Sequence, residues 1–331
     1  MEPRSRVTIR DVAARAGVSV ATVSKVINHR YGVASGTAAR VRAVIDDLGY
    51  EASLVARSLR NHRTNVIGIL VADLEPVSTE LLRGAVGAIR GSGFELLVYS
   101  PGGDGAGWEQ RCLSRLSGTL IDGAVLVAPT VADVSHGAPV VAIDPHTGRP
   151  GLPAVASDNL GGARLATAHL LGLGHRRIGM LAGRPGPDSA RQREQGYREA
   201  LRAAGAVVDE SLIRVGGDDP GAQARLLLTG PDPPTAIFAA SDRSAIAAVG
   251  AAAGLGLRVP ADLSVAGFGN IPGSAVCAPP LTTVEQSART MGERSVGLLL
   301  ALIRGERPAV THITPAATLV VRQSTRAVAA T

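Results

Sequence analysis

From Thr64 onward, short unbroken runs of β-prone apolar residues alternate with longer amphipathic stretches, and this rhythm limits the possible folds more than any other feature. Val66–Val71, Glu95–Tyr99, Ala124–Ala128 and Val140–Ile143 form one series, and Ile178–Ala182, Ala236–Ala240 and Ser264–Phe268 a second. Continuous apolar strands are those buried on both faces, as in parallel sheets covered by helices. Helices are expected over 79–90, 159–171, 190–204, 244–253 and 286–304. Two open α/β units in tandem follow, with a cleft facing the carboxyl ends of their strands, where ligands bind. The last helix and the strand Thr318–Arg322 come after both series and are expected to return the chain to the first unit. A length of 331 residues suffices for two or three folded units.

Composition agrees and narrows the function. The chain is 45% hydrophobic but only 2% aromatic, so its apolar content is mainly Ala, Val and Leu, which suits packed helices and parallel strands. Cys112 and Cys277 are too few for a disulfide framework or a four-ligand zinc site. The N-terminus lacks the apolar stretch of a secretory signal, and no apolar run reaches the ~20 residues of a membrane span. A cytoplasmic protein without membrane contact, metal or cofactor is the expectation. Catalysis is not expected either, since no Gly-rich phosphate loop with Lys-Ser/Thr and no Gly-x-Ser-x-Gly elbow is found. His169 and His175 are six residues apart, off a common helix face, and His175 is expected to cap or pack.

Charge is distributed unevenly. Residues 1–63 carry 11 of the 34 basic and 5 of the 28 acidic side chains, so the whole net charge of +6 resides there. A basic module on a balanced body is the pattern of nucleic-acid binding, although arginine-rich chains also drift basic without consequence. Within this module Thr8 and Asp11 make a helix start, followed by Val12, Ala13 and Ala16 and a stop at Gly17. Ser19 can cap a second helix to Asn28, with Val23, Val26 and Ile27 on its buried face. Val20, Ala21, Ser24 and Lys25, the only lysine in the chain, fall on the opposite face. A third helix, 36–48, turns Val41, Val44, Ile45 and Leu48 inward and closes at Gly49. Two helices joined by a Gly-containing turn and braced by a third make a helix-turn-helix, whose second helix needs small or polar outward residues to enter the major groove.

The stretch Thr8-Ile-Arg-Asp-Val-Ala-Ala-Arg-Ala-Gly-Val-Ser-Val-Ala-Thr-Val-Ser-Lys-Val-Ile-Asn28 resembles the DNA-binding signature of the lactose/galactose repressor family of bacterial transcription regulators. The resemblance continues through Leu48-Gly-Tyr50, Val55–Leu59, Ser157-Asp-Asn159, Leu173–Ile178, Val259–Val265 and Pro279–Val284. It implies an α/β protein with a helix-turn-helix headpiece (1–50), a hinge helix (51–62) and a two-subdomain periplasmic-binding-protein-like body of open parallel sheets (63–331). The subdomains would be 63–157 with 289–325, and 158–288. The implied function is a transcriptional repressor, binding a palindromic double-stranded operator as a homodimer under control of a small-molecule effector, a sugar or related metabolite.

By that resemblance Val20, Ala21 and Lys25 face bases, Thr22, Ser24, Asn28 and Thr37 with the Thr8 end of the first helix lie along phosphates, and Ser19 belongs to the same DNA-binding set. Lys25 stands where the family more often has arginine and reads guanine less strictly. Ala56 and Leu59 occupy the positions of the hinge wedge in the minor groove. In the cleft, Arg193 matches an arginine that anchors effector oxygens, with Asp73, Asp144, Ser241 and Asn270 around it. A surface ion pair of Arg193 with Glu194 or Glu199 is the alternative. Three elements depart from the family. Gly269 replaces an acid that grips sugar hydroxyls, the loop after Asp73 is a residue short and lacks two phenylalanines, and Asp219 replaces an aromatic. These departures also admit a constitutive regulator with a vestigial cleft.

Overall fold

Apolar spacing in the first fifty residues produces three helices, α1 (Ile9–Ala16), α2 (Val20–Ile27) and α3 (Ser35–Leu48). The computed structural model describes residues 7–27, 31–50, 63–72, 74, 76–102, 105, 107–131, 137–147 and 151–328. Asn28, the hinge positions Ala56 and Leu59, and Asp73 lie outside the described residues. The Asp11 carboxylate accepts from both the Thr8 backbone N–H and the Thr8 hydroxyl, each at 2.7 Å, which fixes the start of α1. Those two donors hold the exposed Asp11 carboxyl below its ordinary range. Gly17 and Gly49 end α1 and α3 at φ of +65° and +59°, left-handed conformations that glycine adopts without steric cost. Val12, Val23 and Val41, one from each helix, are fully buried and form the centre of this small core.

The chain divides into two compact units that part at Thr64–Asn65. The second unit contains two six-stranded sheets. In chain order the strands are β1 (Val66–Val71), β2 (Glu95–Tyr99), β3 (Gly123–Val127), β4 (Val140–Ile143), β5 (Ala154–Val155), β6 (Ile178–Ala182), β7 (Ile213–Val215), β8 (Ala236–Ala239), β9 (Ser264–Phe268), β10 (Thr282–Glu285), β11 (His312–Ile313) and β12 (Thr318–Val320). The sheets run β11-β5-β4-β3-β1-β2 and β12-β10-β9-β8-β6-β7. Position for position the order is the same, although the sequence has no repeat of fixed period.

The apolar strands are buried as their composition requires: every residue of β1, β6, β8 and β9 is buried. In the first half, helices Ser78–Ile89 and Ala288–Ile303 cover one sheet face, packing Leu81, Ala85, Met291 and Leu299 on Ile67, Ile69 and Val141. The second sheet has a core on each face. Helices Asn159–Gly172 and Asp188–Ala203 bring Leu170 and Tyr197 to Phe238 and Phe268, while Pro220–Leu228 and Asp242–Gly254 bring Leu227 and Ala248 to Ile237 and Val265. Full burial of each such Leu, Ile or Phe contributes about 1.5–3 kcal/mol before entropy is counted.

Three connections cross between the halves, after β5, after β10 and after β11. The helix Ala288–Ile303 returns to the first half as expected. The strand β12 does not, since it pairs antiparallel with β10 in the second sheet. Side chains beyond its end account for this. Arg322 donates to the Leu281 carbonyl and the Asn270 side chain, and the buried Ser324 hydroxyl donates to the Val265 carbonyl. His175 packs as expected, with Nδ1 2.9 Å from the Thr235 hydroxyl and Nε2 3.2 Å from the Arg326 carbonyl.

Candidate functional site

In the headpiece, α2 separates its residues by helical periodicity. Val23 and Val26 are buried, while Ser19, Val20, Ala21 and Lys25 are exposed, and Thr22, Ser24 and Thr37 are partly so. The Ser19 hydroxyl accepts from the Thr22 backbone N–H at 3.1 Å and lies 2.9 Å from the Thr22 hydroxyl. It therefore caps α2, and a cationic tip at Lys25 projects one turn further along the exposed face. Small side chains at Val20 and Ala21 allow close approach to a surface, and Lys25 supplies a donor. This combination suits contact with base edges.

In the body, Arg193 is the organising group of the cleft. It projects from the helix Asp188–Ala203 and is partly buried. Its Nε–H donates to Asn159 Oδ1 at 2.8 Å, one Nη to the Ala240 carbonyl at 2.7 Å and the other to Gln286 Oε1 at 3.3 Å. The guanidinium carbon lies 4.0 Å from the centroid of the Phe268 ring, a cation–π contact. Burial brings its pKa down to about 10, with Asp144 and Asp242 acting in the opposite sense, so it stays charged at neutral pH. Three of the five guanidinium N–H groups are thus committed, which leaves a rigid donor edge. The ion-pair alternative fails, because Glu194 pairs with Arg198, and Glu199 with Arg164 and Gln195.

Asp144 ends β4 in a left-handed conformation, φ +44°, and its Oδ1 accepts from the Ser157 backbone N–H at 2.8 Å. Burial raises its pKa, against the Ser157 hydrogen bond and the charge of Arg193. Ser241 caps the helix Asp242–Gly254, accepting from the Ser244 backbone N–H at 3.2 Å. The buried Asp242 carboxylate accepts from the Thr283 hydroxyl and from the Ile271 backbone N–H at 2.8 Å, and burial raises its pKa as well.

Two adjoining cavities occupy the cleft, of about 650 and 470 Å³. Val77, Arg184, Ser189, Arg193 and Gln286 border both. Asp144 lines the larger and Ser241 the smaller, so Arg193, Asp144 and Ser241 are brought together. Asn270 lines neither. Its Nδ2 donates to Glu285 at 2.7 Å and its Oδ1 accepts from Arg322 at 2.6 Å, so the side chain braces the strand end. Gly269 has a φ of +130°, a backbone conformation that side-chain-bearing residues rarely adopt. Asp219 caps the helix Pro220–Leu228 through the Ala222 N–H and lines neither cavity.

Several cleft residues were not anticipated. Asn159, Gln286 and Phe268 hold Arg193, while His146 and Trp108 line the larger cavity. A readable signal existed for Trp108: Trp108, Cys112, Leu113 and Leu116 are spaced along one face of the helix Trp108–Leu116 and are all buried. Glu109, next to it, is fully buried, and its Oε1 accepts from the Thr130 backbone N–H at 2.5 Å and hydroxyl at 2.8 Å. Among the described residues, no group of three or more His, Cys, Asp or Glu could hold a metal ion, and no helix is long and apolar enough to cross a membrane.

Fold and site together define a class, a DNA-binding module followed by a ligand-sensor body. Residues 8–53 match the lacI family of bacterial regulatory proteins and residues 167–325 a periplasmic binding protein-like domain. The chain is 36% identical to the HTH-type transcriptional regulator CelR of Thermobifida fusca, over 98% of this chain and 100% of that one. Among solved structures it is similar to a lac repressor dimer bound to operator and the anti-inducer ONPF, with TM-score 0.86, 28% identity and coverage of 98% and 100%. It is also similar to a CelR–cellobiose complex, with TM-score 0.72, 34% identity and coverage of 96% and 100%. The chain belongs to the lacI family of bacterial transcriptional regulators.

Proposed function

We propose that the protein is a homodimeric repressor that grips an inverted-repeat operator through α2 and whose hold on DNA is set by a small molecule in the cleft of its body. Arg193 carries this reading. A guanidinium held by three acceptors and an aromatic face, with a donor edge beside two cavities, is a prepared anchor for ligand oxygens. The same arrangement counts against a vestigial cleft. Asp144 would accept from ligand hydroxyls, and Ser241 would add a polar contact in the smaller cavity. On the DNA side Val20, Ala21 and Lys25 would read bases, while Thr8, Ser19, Thr22, Ser24 and Thr37, with Asn28, would position the backbone. Ala56 and Leu59 are assigned to the minor groove.

The test is selection of bound DNA from a random pool, followed by titration of the selected site against salt. An inverted repeat is expected, with an affinity that falls log-linearly at a slope of about −0.9 per phosphate contacted. Absence of any preference over scrambled DNA, or a flat salt profile, contradicts the reading. Repeating the titration with sugars, nucleosides and their phosphates then identifies the effector class.

A further inference from the structure

Aromatic side chains are scarce in this chain, and all but one are covered. Trp108, Phe238, Phe268 and Tyr197 are buried, while Phe94, Tyr50 and Tyr99 are partly so. Tyr31 is the exception, fully exposed in the headpiece. Its backbone is nonetheless anchored. Val33, two residues on, packs on the headpiece core, and Gly32 between them turns the chain at φ +94°. A Cβ placed on Gly32 would lie 3.8 Å from Lys25 Nζ, so the stretch that bears Tyr31 runs beside the cationic tip of the exposed face of α2.

An order along this surface follows. Val20 and Ala21 stand in the first turn of α2, Lys25 one turn later, and Tyr31 past the helix end, next to Lys25. The chemistry of the ring selects among DNA surfaces. A phosphate needs only a donor, which serine, threonine or arginine supplies, whereas an uncovered aromatic ring gains by meeting apolar surface while its hydroxyl stays wet. In the major groove the apolar group on a base edge is the C5-methyl of thymine.

We propose that Tyr31 is a specificity-determining residue of the DNA interface: its ring packs on the C5-methyl of a thymine in the base pair next to the one contacted by Lys25. This rests on the reading of α2 as the base-reading helix, and it adds to each half-site a base contact made outside that helix.

The full-length protein, Tyr31→Ala, Tyr31→Phe and Lys25→Arg are each used to select bound DNA from a random pool, and the preferred sites are compared base pair by base pair. Lys25→Arg should sharpen a guanine preference and so mark the pair that this position contacts. Tyr31→Ala should lose about fivefold of the preference for thymine at the neighbouring pair of each half-site, the size of a modest base contact. The other positions and the slope of affinity against salt should not change. Tyr31→Phe keeps the ring and should keep the preference. Direct contact is then mapped by replacing each thymine of the half-site in turn with 5-iodouracil, whose iodine takes the place of the methyl. Irradiation and mass spectrometry should locate a crosslink on Tyr31 for that one position.

A uniform loss of affinity in Tyr31→Ala, with the salt slope reduced by about one, marks a contact to the backbone only and overturns the proposal. So do the absence of thymine at the neighbouring pair, an unchanged preference in Tyr31→Ala, its loss in Tyr31→Phe, or a crosslink confined to other residues. In each of these cases an inverted repeat selected by the wild-type chain leaves the assignment of α2 standing, and the Tyr31 inference alone falls. If the wild-type chain selects no site, both fall.

Discussion

The two halves of the body share one strand order but treat their buried polar groups differently. In the second half these groups are satisfied internally: Arg193 has three acceptors, Asp242 two donors, and Ser241 caps a helix. Among the described residues, the buried side-chain polar atoms without a hydrogen-bond partner are Trp108 Nε1, Glu109 Oε2, Ser117 Oγ and Ser157 Oγ. All four belong to the segment that builds the first half or leads out of it. The side-chain polar atoms with no partner at all thus fall in the first half or at its exit, whereas the spare capacity of the second half is the donor edge of Arg193. An identical topology therefore does not imply an identical role, because the strand order fixes where groups sit but not whether they are already paired.

Arg193→Ala should break the comparison most strongly. It leaves three acceptors without their donor and bares Phe268, so a loss of about 3 kcal/mol in urea unfolding is expected. The ligand-induced change in operator affinity should vanish while DNA binding persists; a variant that responds normally removes Arg193 from its assigned role. Gly84→Ala probes the first half. A Cβ there would lie 1.9 Å from the Arg289 carbonyl oxygen, so the helices Ser78–Ile89 and Ala288–Ile303 must separate, at about 2–3 kcal/mol. Wild-type stability in that variant would refute the close helix contact.

Ser241→Ala removes a helix cap from the second half and should cost about 1 kcal/mol in thermal or urea unfolding. Acid sensitivity comes next. Burial holds His169 and His175 below the ordinary value of 6.5, so both are neutral in the folded chain while the unfolded chain takes up protons first as the pH falls. Their contribution is complete above pH 6.5 and declines below it. Melting temperatures measured from pH 7.5 to 5 should therefore fall, and His175→Gln should flatten that slope; an unchanged slope would assign the acid sensitivity elsewhere. The smallest effect belongs to Ser157→Ala, which deletes an unpartnered hydroxyl and should change stability by less than about 0.5 kcal/mol. A cost equal to that of Ser241→Ala would erase the distinction between the halves.

The headpiece was legible because its signals are local. Thr8, Asp11 and Gly17 delimit α1 within ten residues, and Gly49 closes α3 where expected. The long apolar strands are equally plain: of the seven expected, five have the observed bounds and two differ by one residue at one or both ends. Shorter elements were not legible. Two or three residues, as in β5, β7 and β11, are too few for a periodic pattern, and their pairing depends on distant segments. The return of β12 to the second sheet is likewise a tertiary choice, made by Arg322 and Ser324. In the cleft, Arg193 was found by resemblance, but its partners Asn159, Gln286 and Ala240 come from three separate stretches of chain. Asn270 sits at a position that suggests a ligand contact, and its neighbours Glu285 and Arg322 claimed it for bracing. Trp108 follows a stretch holding Gly102, Gly103, Gly105 and Gly107, a composition that carries no helical period and so conceals the start of its helix.

The three crossings between the sheets have a consequence for protein engineering. Because each sheet completes its edge with a strand from the final twenty residues, neither lobe corresponds to one uninterrupted stretch of gene. A chimaera that exchanges one lobe alone would need several simultaneous splices, while the whole sensor can be transplanted as a single cassette joined near Thr64. Recombination among relatives should therefore shuffle DNA readers against intact sensors far more readily than it mixes the two lobes.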